Sequence, residues 1–386
     1  MVRQQLLSDL SDFDIETISV DKKYEKSEYL AKQLITYIGN KRALLDFIGN
    51  GVREAQKKLH KDKLKTLDLF SGSGIAARYF KQFSELLIVN DLERYSTVIN
   101  ECYLSNESDL NMPALRGLYL DILEELKKTL RRGIISELYA PINDANIKPD
   151  ERAFYTARNA MYIDTARQII ERVPQNEQKY FLAPLLSEAS VHANTSGVFK
   201  GFYKNKTTGI GQFGGLEKDA LLRITGDIRL PFPIFSNFDC ETLIYNGDSN
   251  GIIRDLPEVD IAYLDPPYNQ HPYGSNYFML NLILDYKYPE NISKISGIPD
   301  NWNRSDYNKK DKILQALTKI VEEINAKYVL VSFNSEGFVS IEDMKKMLKK
   351  YGKLQVLETK YNAFRGSRNL NGREIHVKEY LYLLEK

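Results

Sequence analysis

The tetrapeptide Asp265-Pro266-Pro267-Tyr268 has the composition of a receptor for an amino group on a flat ring. Two prolines fix φ at about −65° and remove two N–H donors. The Asp265 carboxylate and the Pro266 carbonyl are then left as acceptors at the end of the apolar run Val259–Leu264, and Tyr268 adds an aromatic face. Two acceptors match the two hydrogens of an exocyclic NH2, and a ring matches a base. An Asp-Pro-Pro turn with a packed tyrosine is the plainer alternative. Its place after a buried-looking strand, in a chain that also has a glycine-rich first turn, weighs against that alternative.

The glycine-rich turn lies upstream, in Leu67-Asp68-Leu69-Phe70-Ser71-Gly72-Ser73-Gly74. Glycines after a strand let the backbone approach a ligand closely, and the helix that follows presents free N–H groups. Ala77 holds the third glycine place of the dinucleotide fingerprint, where alanine is allowed. A tight strand-to-helix turn in any α/β protein would look similar. Asp91 closes the next apolar run, Glu85–Asn90. A carboxylate there can accept both hydroxyls of a ribose, and a loop acid or helix cap is the competing explanation.

A third element is electrostatic. Gly197 to Gly209 interleaves Lys200, Lys204 and Lys206 with three aromatics and contains no acid. Lysines suit phosphates, and aromatics suit stacking or groove packing; a solvated loop with buried phenylalanines is the alternative. Arg365, Arg368 and Arg373 lie among Gly, Ser and Asn in a polar loop, as a DNA contact or an ordinary exposed turn.

These residues need a scaffold, and the chain patterns for one. The first thirty residues are polar and read as a loosely ordered arm. A loop at Thr36–Asn40 leads into a helix through Leu44, Leu45, Phe47 and Ile48, with Gly49 and Gly51 putting its continuity in question. Leu64–Phe70, the glycine turn, a helix at Ile75–Phe83 and the strand Glu85–Asn90 ending at Asp91 form the opening of a doubly wound α/β sheet. Residues 93–185 are helical in pattern, and 186–236 lose that period. Strand-like runs return at Thr242–Tyr245, Val259–Leu264 and Tyr328–Phe333. Leu354–Tyr361 and His376–Leu384 alternate as a hairpin. The α/β core is therefore interrupted and then resumed, a common way to add a recognition module.

Composition narrows the options. The 386 residues carry 53 basic and 52 acidic side chains, so net charge argues neither for nor against a nucleic-acid partner. Cys102 and Cys240 are the only cysteines, which excludes a disulfide framework and a four-cysteine zinc site. Four scattered histidines give no support to a metal site, and none is expected. No apolar run approaches the roughly 18 residues of a membrane span.

Taken in order, these pieces resemble the S-adenosylmethionine-dependent amino-methyltransferases of DNA, in the Dam-like adenine-N6 branch whose cofactor loop precedes the glycine-rich motif. Thr36-Tyr37-Ile38-Gly39-Asn40-Lys41 resembles that loop, and Asp68–Gly74 the main cofactor motif. Asn90-Asp91 resembles the ribose-binding acid, Asn246-Gly247-Asp248 the acid flanking cofactor and target base, and Asp265–Tyr268 the catalytic motif. Asp68 and Asp265 are 197 positions apart, the alpha-type order with target recognition in the gap.

The resemblance covers about two thirds of the chain. It implies a Rossmann-like methyltransferase sheet, mostly parallel with an antiparallel C-terminal hairpin, built from residues 1–135 and 237–386. It also implies an inserted target-recognition region at 136–236. The cofactor would be S-adenosylmethionine and the substrate double-stranded DNA, with methyl transfer to N6 of a flipped adenine. Catalysis would fall to Asp265, Pro266, Pro267 and Tyr268, and cofactor contacts to Tyr37, Asn40, Lys41, Asp68, Phe70, Ser71, Gly72, Gly74, Asp91 and Asp248. DNA contacts are expected from Lys200, Lys204, Lys206, Arg365 and Arg368.

A separate cognate restriction endonuclease fits such a modification enzyme, in the bacterial cytoplasm or nucleoid and away from membranes. Cytosine-N4 enzymes more often carry Ser at the place of Asp265. Ribosomal-RNA guanine-N2 enzymes with a similar tetrapeptide have a short gap and no upstream loop. Both stay open as alternatives, as does a non-catalytic DNA-binding protein with this fold.

Overall fold

The computed structural model describes residues 24–215, 220–362 and 376–386. Its strands are β1 (Leu64–Asp68), β2 (Ser84–Asp91), β3 (Glu241–Asn246), β4 (Val259–Leu264), β5 (Ala326–Asn334), β6 (Lys353–Asn362) and β7 (His376–Glu385). They form one sheet in the order β3-β2-β1-β4-β5-β7-β6. The first five are parallel, and β7 lies antiparallel between β5 and β6. The expected α/β class, with an antiparallel C-terminal hairpin on a parallel sheet, is what the chain adopts. Strand order reverses between β1 and β4, and at such a switch point the carboxyl ends of the strands open a crevice. Both chemical motifs, at the ends of β1 and β4, face it.

The principal helices are, in chain order, α1 (Leu45–Leu59), α2 (Ile75–Phe80), α3 (Arg94–Tyr103), α4 (Met112–Leu126), α5 (Ala157–Ile170), α6 (Gln175–Val191), α7 (Phe278–Asp285), α8 (Ile313–Glu323) and α9 (Ile341–Leu348). Successive strand residues point to opposite faces. Leu87, Val89, Ile261 and Tyr263 therefore bury against α1 and α2. Ile88, Ala262, Leu264 and Val329 bury against α8 and α9 on the other side.

The glycines that cast doubt on α1 turn out to be its contact points. A Cβ on Gly49 would collide with the Tyr79 hydroxyl, and one on Gly51 would stand 2.7 Å from Leu330. The helix runs unbroken through both because close approach offsets their poor helix propensity.

The polar N-terminal stretch is not an arm throughout. Residues 27–31 form a short helix with Tyr29 fully buried, its hydroxyl donating to the Tyr103 carbonyl at 2.6 Å. Arg78 of α2, itself buried, donates to the carbonyls of Tyr29, Lys32 and Gln33 and lies 3.6 Å from the Tyr103 ring. The Tyr29 partners Arg78 and Tyr103 belong to distant segments, so local polarity concealed the burial.

Helices α4, α5 and α6 form a separate apolar core with α3 and α7. Arg167 of α5 clamps the C-terminal end of α7 from within, donating to the carbonyls of Ile283 and Leu284 at 3.1 and 3.0 Å. The sheet resumes at β3 only after this helical mass, and α4 shares its core although it precedes residue 136.

Candidate active site

Strand β1 ends in Asp68, fully buried, and the chain then turns through Gly72 (φ +52°) and Gly74 (φ +76°) into α2. Both glycines occupy left-handed conformations that residues with a Cβ rarely adopt. Asp91, at the end of β2, accepts the Gly72 N–H at 2.7 Å through Oδ2 and the Glu93 N–H at 2.8 Å through Oδ1. The acid expected to face a ribose therefore also holds the glycine turn in place. Asn90 beside it ties three strand ends together. Its amide donates to the carbonyls of Leu69 and Gly247 at 3.2 Å each, and its oxygen accepts the Gly247 N–H. Asp248 follows, capping a short turn through the Gly251 N–H.

At the end of β4, Asp265 meets the N-terminal loop. Lys41 Nζ lies 3.0 Å from Asp265 Oδ1 and 3.2 Å from Glu379 Oε1 on β7, and 5.6 Å from the centre of the Tyr268 ring. Burial pulls Lys41 down, but Asp265 and Glu379 together outweigh it and hold the ammonium well above its ordinary value. Burial lifts the Asp265 carboxyl to about 6, against the pull of Lys41 and with a push from Glu379. Asp68 is pushed well above the carboxylate range by burial and by the neighbouring Asp265 and Asp91. Tyr268 is 8% exposed; its ring packs on Phe333 and its hydroxyl accepts from Asn334 Nδ2 at 2.8 Å.

Between the two motifs lies a cleft with about 850 Å³ of open space. Tyr37, Lys41, Phe70, Ser71, Gly72, Asp91, Asp248, Asp265 and Pro267 line it, whereas Asn40, Asp68, Gly74, Pro266 and Tyr268 are not among its lining residues. The structure adds residues that sequence reasoning did not single out as cofactor contacts. Glu93 lines the cleft while only 3% exposed, and accepts from the side-chain amides of Asn281 and Asn303 at 2.7 and 3.3 Å. Burial, with Asp91 beside it, pushes the Glu93 carboxyl up to about 7. Tyr307 meets Phe70 edge to face at 5.0 Å. Tyr37 is stacked against both Tyr273 and Tyr277, at 4.9 and 4.8 Å. Only the position of Glu93, two residues after Asp91, was a signal in the sequence; Tyr307 reaches the cleft from a segment with no motif.

Lys200, Lys204 and Lys206 are all exposed, while Phe199 among them is buried against Phe154, Tyr155 and Phe278. The Phe199 N–H donates to the Asn276 carbonyl at 2.7 Å, so the lysine segment is fastened to the loop that follows Asp265–Tyr268. Lys200 is close enough to His271 to help hold its pKa down, after burial. Arg365 and Arg368, with Arg373, lie outside the described residues.

A sheet of this order, with a glycine turn and a buried acid at adjacent strand ends, is a doubly wound α/β fold with its ligand crevice at the switch point, consistent with a methyltransferase fold. The chain belongs to the D12 class N6 adenine-specific DNA methyltransferase family, which it matches over residues 37–347. It is therefore an adenine-specific enzyme, and the cytosine-N4, guanine-N2 and non-catalytic alternatives fall away. It is 30% identical to the type II methyltransferase M.NlaIII of Neisseria lactamica over 360 residues, 91% of this chain and 99% of the relative. It is likewise 30% identical to the type II methyltransferase M.CviAII of Paramecium bursaria Chlorella virus 1, covering 91% and 98% of the two chains. To the type II methyltransferase M.FokI of Planomicrobium okeanokoites it is 28% identical, over 91% of this chain and 52% of that one. Methyl transfer in this family draws in general on S-adenosylmethionine. Among the described residues no helix is long and apolar enough to cross a membrane.

Proposed function

We propose that the cleft binds S-adenosylmethionine and receives an adenine flipped out of duplex DNA, and that the protein is the modification enzyme of a restriction–modification system. The observation that carries this reading is the placement of Asp265 and the Gly72 turn on one cleft, with Lys41 paired to Asp265. The donor set fits the cofactor. Four acids, Asp91, Glu93, Asp248 and Asp265, line a space offered to a molecule with two cationic centres and a ribose, and Phe70 with Tyr307 presents ring edges and faces to its purine.

When bound, S-adenosylmethionine supplies an electrophilic methyl on a sulfonium. The chain supplies position and charge. Tyr37 and Lys41 close the cleft from the N-terminal side with Asn40 in the loop between them, Asp68, Ser71, Gly72 and Gly74 shape the turn, and Asp91 with Glu93 takes the ribose hydroxyls. Asp265 and the Pro266 carbonyl accept hydrogen bonds from the two N6 hydrogens, which draws density onto nitrogen and aims its lone pair, and the one proton that N6 sheds on methylation would leave by way of Asp265 to solvent; Tyr268 bounds the base slot with Pro267. No covalent enzyme intermediate is involved, so catalysis is by orientation and electrostatics. Base flipping follows from geometry, since N6 is hidden within a stacked duplex.

Residues 136–236, with α4 sharing their core, are assigned to target recognition, and Lys200, Lys204 and Lys206 to phosphates. Arg365 and Arg368 are assigned the same electrostatic role. The named relatives, type II methyltransferases, favour a separate cognate endonuclease as partner and a bacterial cytoplasmic or nucleoid setting. Calorimetry with S-adenosylmethionine tests the cofactor, and a duplex carrying 2-aminopurine at the target tests flipping. Fluorescence that rises on binding is expected; unchanged fluorescence in a tight complex overturns the flipping step. Sequencing of modified bases in DNA from expressing cells then gives the site, and N6-methyladenine scattered without a sequence context would remove the restriction–modification role.

A further inference from the structure

Glu379 lies on β7, outside the segment that matches the family, yet reaches the catalytic acid through one side chain. It sits in an apolar strand, fully buried, opposite Asn334 of β5 and Thr359 of β6. Its Oε1 is 3.2 Å from Lys41 Nζ and accepts the Ser332 hydroxyl at 2.6 Å, while Oε2 has no hydrogen-bond partner among the described residues. Burying a charge is costly and adds little net stability even when it is paired. A hydrophobic residue would satisfy this strand at lower cost, so packing does not account for the acid.

Resting on the reading of Asp265 as the amino-group acceptor, we propose that Glu379 is a positioning residue that shares the Lys41 ammonium and so leaves Asp265 free to accept the N6 hydrogens. Lys41 makes no aligned hydrogen bond to either acid; it stands between them as a charge. Were Glu379 absent, Lys41 would lean wholly on Asp265 and occupy the lone pairs the substrate needs. The other groups facing this cluster are Tyr263 of β4, Asp68 of β1, Ser332 of β5, Tyr268 of the tetrapeptide and Tyr273 after it. Among them, Ser332 is the donor that touches Glu379 directly.

The sign of the effect follows from the neighbours. Glu379 pushes Asp265 up and Lys41 pulls it down. Glu379→Gln keeps the shape and removes the charge, so the acid limb of kcat, set by Asp265 at about 6, should move to lower pH. At neutral pH kcat should fall about tenfold through lost alignment while S-adenosylmethionine affinity stays as in the wild type. Ser332→Ala should act the other way. A carboxylate without its donor pulls harder on Lys41, Asp265 is less well paired, and the acid limb moves to higher pH.

Full-length protein, a duplex of the modified sequence and methyl transfer measured from pH 5 to 9 decide the matter. Opposite displacements of the two limbs are expected. Limbs that coincide with the wild type, or a change confined to cofactor affinity, would overturn the role of Glu379. If Glu379→Gln does not fold, Ser332→Ala alone decides, since an unmoved or lowered limb is incompatible with it. A wild-type enzyme that transfers nothing to adenine would instead strike the reading of the site itself.

Discussion

Asp91 Oδ2 accepts the Gly72 N–H at 2.7 Å, and through that one bond the end of the second strand holds the glycine turn of the first. The same acid lines the cleft, so charge and backbone shape are coupled there. Asp91→Asn keeps an acceptor for Gly72 and removes the charge. S-adenosylmethionine affinity should fall about tenfold, as charge-assisted hydrogen bonds become neutral ones, with thermal stability little changed. Affinity equal to the wild type in a calorimetric titration would confine Asp91 to shaping the turn.

The acids of the cleft also set a pH dependence. Burial raises Asp91 to about 6 and Glu93 to about 7, from ordinary values of 3.8 and 4.5. The folded chain without cofactor thus holds these protons more tightly than the unfolded chain. Their contribution to stability is fully present below about pH 4 and is lost as pH rises through 7. A cationic cofactor favours the ionised acids, so its binding should tighten from pH 5.5 to 7.5 and release protons. Titrations at pH 6.5 in two buffers of different ionisation heat check this; identical observed heats would show that no proton leaves.

Asp265→Ala should abolish methyl transfer and leave cofactor binding largely intact, because on the proposed reading Asp265 meets the amino group of the base and the Gly72 turn meets the cofactor. The variant also leaves Lys41 with Glu379 as its one close acid among the described residues. Turnover near that of the wild type, measured as methyl incorporation into DNA, would remove Asp265 from the chemistry.

Tyr268→Phe separates ring from hydroxyl. The ring is kept, but Asn334 Nδ2 loses the acceptor it reaches at 2.8 Å, in a buried place. An unsatisfied buried donor costs about 1–3 kcal/mol, so stability should drop while much of the activity remains. Tyr268→Ala should lose far more activity, since stacking on a base contributes about 1–3 kcal/mol. Equal activity losses in the two variants would assign the effect to the hydroxyl.

The exposed lysines Lys200, Lys204 and Lys206 should act on affinity without reading sequence. Each one replaced by Ala should flatten the slope of log affinity against log salt by about 0.9 if it neutralises one phosphate of duplex DNA. Specific and random duplexes should weaken alike, and cofactor affinity should not move. A loss confined to one sequence would make these residues base readers; an unchanged slope would return the segment to a solvated loop.

Much of this protein was legible along the chain because its signals are local. An apolar run ended by two prolines is a strand followed by a rigid turn wherever it occurs, and β4 with Asp265–Tyr268 is that object. Two glycines after an apolar run, then a helix, mark the turn at Gly72 and Gly74 for the same reason. The helix after Leu44 was legible but its continuity through Gly49 and Gly51 was not, nor was the burial of Tyr29, because both depend on partners far along the chain: Tyr79, Leu330 and Tyr103. Tertiary structure alone decided that Asp91 grips Gly72, that Tyr307 meets Phe70, and that Glu379 stands across Lys41 from Asp265. Local patterning sets which residues leave the ends of strands, whereas strand order sets which ends are neighbours. Placing β7 beside β5, two strands from β4, brings an acid from the last few residues of the chain to a lysine near its start. No spacing along the sequence carries that distance, since it arises only when the sheet closes over its core.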